Sequence, residues 1–246
     1  MYKRRILMEY LIFILSHNSK SRTSYVYETL AKQTDSVYVL ENSYIQDRKF
    51  TNSKTIDFGE KNIGIGGFYD FVCNYAKDKN DLFIGIFNND ISEISDDFVK
   101  RMSKHFKKEN GIVHPALNDF GCPYPQMKVN GDSFRYVNMI ENVVPFYNVE
   151  VLKELSKYMP LHYYGWVDIL ASRLSQKVLH LNNVLIDDIV VKHERSGVRK
   201  ELEPIDSNWS QYQINAERTW REWVNKYNFP ESYWTEGIFD IHGTKQ

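Results

Sequence analysis

Leu82-Phe83-Ile84-Gly85-Ile86-Phe87-Asn88-Asn89-Asp90 is the stretch whose reading decides the fold. Its apolar run reads as a strand buried on both faces, the kind found inside parallel sheets. The run stops at short polar side chains. In an open parallel sheet, ligands bind outside the carboxyl ends of the strands. A carboxylate placed there, Asp90, can hold a hard divalent cation, which can in turn bind a diphosphate. Taken alone, Asn-Asn-Asp also reads as an ordinary turn, because these residues dominate turns.

Working outward, Leu11 to Leu15 is another buried run, Val37 to Leu40 a further one, and Thr55 to Phe58 a short one. Between them, Thr23 to Lys32 reads as a helix. Gly66 to Lys77 reads as a second helix, with Phe68, Phe71, Val72 and Tyr75 on one face. Residues 95–108 read as a third, with Ser95 as its cap ahead of Asp96-Asp97. Strands alternating with helices predict an α/β fold, a mostly parallel sheet flanked by helices. The second half is more mixed. Residues 114–145 are rich in Pro, Gly and Asn and read as loop with short antiparallel strands. Val149 to Lys157 and Val167 to Gln176 read as helices, and Val184 to Ile186 and Ile189 to Val191 as strands. Ser207 to Tyr227 reads as a long helix with Trp209, Tyr212, Ala216, Trp220, Trp223 and Tyr227 in one apolar stripe. That stripe predicts docking onto the rest of the chain; a dimer surface or stacking on sugars or bases are its functional alternatives.

Composition narrows the class. The chain has 246 residues, 42% hydrophobic and 26% charged, which excludes a disordered or collagen-like protein. Its net charge of −1 disfavours a nonspecific nucleic-acid binder. Leu11 to Leu15 is far too short to cross a bilayer, so no integral membrane segment is expected. Cys73 and Cys122 form no zinc pattern and no disulfide framework, which suits the cytoplasm. Lys, Asn, Ile, Tyr and Phe make up 91 residues of 246, a bias toward A/T-rich codons that fits a bacterial or phage source.

Three further segments frame Asp90. Glu60-Lys61-Asn62-Ile63-Gly64-Ile65-Gly66-Gly67 opens a helix; glycines let backbone approach a ligand and a helix N-terminus favours anions. The spacing is not G-x-G-x-x-G, so no dinucleotide fingerprint is present. Tyr164-Gly165-Trp166-Val167-Asp168 leads into a helix containing Arg173, where Asp168 reads as a cap or a general base. His193 follows an apolar strand, beside Lys192, Arg195, Arg199 and Lys200. A lone His there is structural or a ligand; the basic cluster is a solvated loop or a diphosphate clamp.

In this order, over roughly residues 10–196, these segments resemble the glycosyltransferase family 2 group, whose fold is GT-A. Ser16-His17-Asn18 resembles the family's nucleotide-contacting start, and Leu40-Glu41-Asn42-Ser43 its Asp-Asn-x-Ser segment. Asn62 to Gly67 is similar to its Asn-x-Gly segment, and Asn88-Asn89-Asp90 to its metal-binding D-x-D motif. Glu41 stands where the family has Asp, Asn88 replaces the first Asp of D-x-D, and Val167 stands where an acid often precedes the catalytic Asp. The resemblance implies a GT-A domain over residues 1–200, with a nucleotide-sugar half about 1–95 and an acceptor half about 96–200. Residues 201–246 are expected to form a C-terminal helical extension packed on it. It implies a metal-dependent, inverting transferase with Mn²⁺ or Mg²⁺ held by Asp90 and His193, and Asp168 as catalytic base. Ser16, Asn18, Glu41, Asn42, Asn62, Gly64, Gly66, Asn88, Asn89, Arg173, Arg195 and Arg199 would bind the nucleotide-sugar, a UDP-sugar first.

The acceptor stays open between a bacterial surface glycan and, for a phage enzyme, hydroxymethylated pyrimidines in DNA. Lys100, Arg101, Lys104, Lys107 and Lys108 could track phosphates, and Lys3-Arg4-Arg5 could hold the chain at a membrane surface. An oligomer is compatible with all of this. Two other classes are a non-catalytic nucleotide-sugar binding module and a nucleotidyltransferase. The second is disfavoured because Ser16 to Arg22 lacks glycine.

Overall fold

The computed structural model describes residues 8–59, 63–118, 125–131, 133–158, 167–194, 225, 226, 228 and 230. The segments Lys3-Arg4-Arg5, Glu60-Lys61-Asn62 and Tyr164-Gly165-Trp166 lie outside these residues. So do Cys122, Arg195, Arg199, Lys200 and nearly all of the expected 201–246 extension with its helix.

Four strands form the parallel half of the sheet: β1 (Glu9–Ser16), β2 (Val37–Glu41), β3 (Thr55–Asp57) and β4 (Leu82–Asn88). They lie in the order β3-β2-β1-β4, all parallel. Helices α1 (Lys20–Ala31) and α2 (Gly64–Ala76) make the crossovers. Ile12, Ile14, Val39 and Ile84 are fully buried, as a strand covered on both faces requires. Gly64, at φ +61°, opens α2 two residues earlier than the apolar pattern predicts. Only glycine takes that angle without strain.

Beyond β4 the order continues β8-β6-β9-β5, with β7 also on β9. These are β5 (Ile91–Ser92), β6 (Asn110–Leu117), β7 (Phe134–Tyr136), β8 (Phe146–Asn148) and β9 (Asn182–His193). β8 runs antiparallel to both β4 and β6, while β6 and β9 are parallel. The sheet is thus mostly parallel and flanked by helices.

Several boundaries correct the sequence reading. The helix expected over 95–108 is only α3 (Phe98–Ser103), and its cap position is Asp97; the Ser95 hydroxyl bonds the Asp97 carboxylate instead. Lysines at 100, 104, 107 and 108 repel along one helical face. Phe106 is drawn into an aromatic stack with Phe83, 4.7 Å between centroids. Residues 114–145 were expected as loop, yet 114–117 complete β6, a strand that holds both Gly111 and Pro115. Register shifts at Asn110/Ile112 and at Pro115/Ala116 absorb both breakers. β9 is one strand rather than two: Asp187-Asp188 falls at a bulge, where buried Asp187 takes the Arg135 guanidinium at 2.9 Å. Helix α4 (Val149–Leu155) agrees with expectation, while α5 (Val167–Arg173) passes into a π turn over Leu174–Val178.

Candidate active site

The carboxyl ends of β1, β2 and β4 meet at one edge, where Ser16 is in register with Glu41 and Leu15 with Asn88. Past β4 the chain turns and forms β5 against the end of β9, with Ile91 opposite His193. The Glu194 N–H donates to the Asp90 carbonyl at 2.7 Å and closes this ladder. The backbone thereby sets Asp90 Oδ1 3.3 Å from His193 Nε2, with both side chains mostly buried. An octahedral cation with bonds of about 2.1 Å places adjacent ligands about 3 Å apart. A carboxylate oxygen beside an imidazole nitrogen therefore fits one Mn²⁺ or Mg²⁺ ion in spacing and donor type. Among the described residues no cluster of three His, Cys, Asp or Glu could hold a metal. A cation on this pair would complete its shell with phosphate and water oxygens, as such ions commonly do.

Glu194 borders the pair. The Ser92 hydroxyl at 2.7 Å and the Lys192 ammonium at 3.0 Å, with the Arg22 charge behind them, hold its carboxyl below the usual range. No sequence motif marks Glu194 or Arg22. Arg22 arrives from α1, and nothing in the local pattern pairs it with residue 194.

The other predicted residues at this edge are largely engaged with one another. The fully buried Glu41 carboxylate accepts from the Ser16 hydroxyl at 2.7 Å, the Phe50 N–H at 3.0 Å and the Ser43 hydroxyl. The Asn42 side chain accepts from the Ile63 N–H at 2.8 Å and donates to the Gly59 carbonyl at 3.1 Å, pinning the approach to α2. Asn18, at φ +49°, accepts from the Ile45 N–H through its side-chain oxygen at 3.0 Å. Asn89 donates to the Thr23 hydroxyl at 3.0 Å, which also meets Ser16. Asn88 is half-buried at the strand end, and its N–H donates to the Val143 carbonyl at 2.9 Å. Gly66 is buried in the first turn of α2, and Arg173 is buried in α5.

That last backbone bond of Asn88 brings in Asp168. The segment carrying Val143 also carries Glu141 and Asn142. The Asn142 side-chain oxygen accepts from the Tyr69 hydroxyl at 2.5 Å and the Tyr147 hydroxyl at 2.7 Å. Burial pushes the Asp168 carboxyl up to about 7, and the nearby Glu141 charge adds to this. Backbone N–H groups of Ile169 and Asn142 oppose the rise. A carboxyl that titrates near neutrality suits proton transfer. Glu141 is thus a second acid whose charge reaches Asp168. No sequence signal marks it, because it reaches Asp168 through the tertiary fold.

No protein-family model and no curated protein matches this chain. Solved structures do match in shape. A mannosyltransferase from Pyrobaculum calidifontis, in complex with GDP-Man and Mn²⁺, aligns with a TM-score of 0.55 at 12% identity, over 80% of this chain and 60% of that one. GalNAc-T7 with UDP, GalNAc and Mn²⁺ aligns with a TM-score of 0.56 at 10% identity, over 96% of this chain and 58% of that one. A mycobacterial protein aligns at 0.52 and 10%, over 78% of this chain and 70% of that one. The chain spans about three fifths of the length of the first two structures. The protein has a GT-A-like glycosyltransferase fold.

Proposed function

We propose that this chain is a metal-dependent glycosyltransferase. It moves a sugar from a nucleotide-diphosphate sugar to an acceptor hydroxyl with inversion, and the acceptor is a bacterial surface glycan. The observation that carries the reading is the Asp90–His193 pair, 3.3 Å apart at the carboxyl end of β4. Both transferase neighbours hold Mn²⁺ together with a sugar nucleotide, or a nucleotide and a sugar.

Asp90 and His193 would hold Mn²⁺ or Mg²⁺. When bound, the ion supplies neutralisation of the charge that develops on the leaving diphosphate. Asp168 takes the proton of the acceptor hydroxyl as that oxygen attacks the anomeric carbon. Its burial and the Glu141 charge keep its basicity high enough for that task. Ser16, Asn18, Asn42 and Glu41 shape the nucleotide end through the bonds they make to one another and to neighbouring loops. Asn88, Asn89, Gly64, Gly66 and Arg173 would bind the donor as the resemblance implies, with Asn88 at the end of β4 and Gly64 at the start of α2. Asn62, Arg195 and Arg199 keep the donor-binding role that the resemblance implies.

The DNA reading draws less support. Arg101 is engaged by Asp188 at 3.3 Å and Lys108 by Asp81 at 2.7 Å, so the basic stretch is partly neutralised. No helix among the described residues is long and apolar enough to cross a membrane. A thermal-shift panel of UDP- and GDP-sugars with and without Mn²⁺ tests the proposal. A metal-dependent rise with one donor supports it, and no shift with any donor overturns it; a donor shift without turnover favours a non-catalytic nucleotide-sugar binding module.

A further inference from the structure

The first turn of α1 opens onto a cavity of about 530 Å³ whose lining includes neither Asp90, His193 nor Asp168. Ser19, Lys20, Ser21 and Ser24 form one wall; Asp47 and Arg48, from the short turn after β2, form the other. Asn18 fixes the two walls together. Its N–H donates to the Ser43 hydroxyl at 2.7 Å, and its side chain accepts from the Ile45 N–H at 3.0 Å. The cavity is therefore built before any ligand arrives.

Ser19 is the cap residue of this twelve-residue helix, yet its hydroxyl makes no bond to the first-turn amides. The residue is 3% exposed, and its Oγ has no hydrogen-bond partner among the described residues. A buried hydroxyl in that state is destabilising until an oxygen or a donor meets it. The helix N-terminus carries a partial positive charge, and no acidic residue lies in the first turn to offset it. Lys20 and Arg48 add two cations against the exposed Asp47 carboxylate.

We propose that this cavity is a metal-independent binding site for a hydroxylated phosphate ester, a ribose or hexose phosphate. The helix amides and the Arg48 guanidinium would take the phosphate oxygens. Ser19, Ser21 and Ser24 would exchange hydrogen bonds with the ligand's hydroxyls. Two sources share this chemistry: the ribose phosphate of the donor nucleotide and a phosphorylated acceptor. Both of these assignments rest on the glycosyltransferase reading, whereas the site itself does not.

Calorimetric titration of the full chain with ribose 5-phosphate and glucose 1-phosphate, in the presence of EDTA, tests the site. Saturable binding is expected. Lys20→Ala and Arg48→Ala should each weaken it about tenfold by removing a charged phosphate contact. Arg48→Lys should weaken it less, since the charge stays and only the fork is lost. Ser19→Ala should weaken it and leave the melting temperature equal or higher, because a hydroxyl that satisfies nothing is removed. Asp90→Ala should leave it unchanged. No saturable binding, or binding unchanged in both Lys20→Ala and Arg48→Ala, overturns the proposal. A second titration adds UDP-glucose or GDP-mannose with Mn²⁺. Displacement of the sugar phosphate assigns the site to the donor, and simultaneous binding assigns it to a phosphorylated acceptor. Sugar-phosphate binding that persists while no nucleotide-sugar binds would sink the transferase reading and leave this site standing.

Discussion

His193 Nε2 lies 3.3 Å from Asp90 Oδ1 because the backbone puts it there. Ile91 pairs with His193 across the β5–β9 ladder, and the Glu194 N–H bonds the Asp90 carbonyl. Main-chain hydrogen bonds thus bring the two side chains together. Such pre-organisation would lower the cost of the cation binding proposed for the pair.

Asp90→Asn should reduce Mn²⁺-dependent release of nucleotide from the donor by about a hundredfold or more, and His193→Ala by about ten- to a hundredfold. Both variants should stay folded, since the ladder is made by backbone. Nucleotide release measured across a Mn²⁺ titration checks this. An unchanged Mn²⁺ response in Asp90→Asn removes the pair from metal binding.

Asp168 gives two linked pH effects. Turnover should rise with pH and level off above about 7, where its carboxyl is deprotonated. Stability should move the other way. The unfolded chain loses this proton near pH 3.8 and the folded chain keeps it to about 7, so the group's cost to folding grows across that window. Asp168→Asn should abolish turnover and raise the melting temperature at pH 8 by several degrees. The difference should vanish toward pH 4. A melting series from pH 4 to 8 reads the second effect without needing an acceptor.

Glu41 is braced from inside. Glu41→Gln keeps the size but turns one acceptor oxygen into a donor facing the Ser16 hydroxyl, the Ser43 hydroxyl or the Phe50 N–H. The expected loss is about 1–3 kcal/mol of folding stability. Urea unfolding measures it. Full stability with weakened donor binding would instead place the carboxylate on the nucleotide.

His114 is buried as a neutral ring. Its Nε2 accepts from the Val144 N–H at 2.9 Å and its Nδ1 donates to the Pro115 carbonyl at 2.5 Å. Burial pushes its ionisation down to about 3. The unfolded chain takes up this proton near pH 6.5. Its contribution to stability is therefore full above that pH and lost as pH falls toward 3. His114→Ala should cost about 2–4 kcal/mol at pH 7.5 by opening a cavity and orphaning two backbone groups. It should also flatten the loss between pH 7.5 and 5. Urea midpoints at the two pH values decide it.

The parallel half of the fold was legible in the sequence because its strands are continuous apolar runs. β1, β2 and β4 needed only local pattern, and Asn88-Asn89-Asp90 marked the end where the proposed site lies. The second half was not, for a local reason in each case. Pro115 disguised the second half of β6, Asp187-Asp188 split β9, and the lysines after Lys100 carried a helix pattern past its true end. What the sequence alone determined was which polar residues end up at strand termini, since strand burial depends on neighbours in the chain. What only the tertiary structure decided was which of them meet. Asp90 meets His193 through a two-residue ladder, and Glu141 comes near Asp168 through the segment before β8, which runs antiparallel along the end of β4. Glu41 turns inward to Ser16, Ser43 and Phe50. Hydrogen bonding and charge act over a few ångströms in space, and those distances are set by sheet register, which no local pattern encodes.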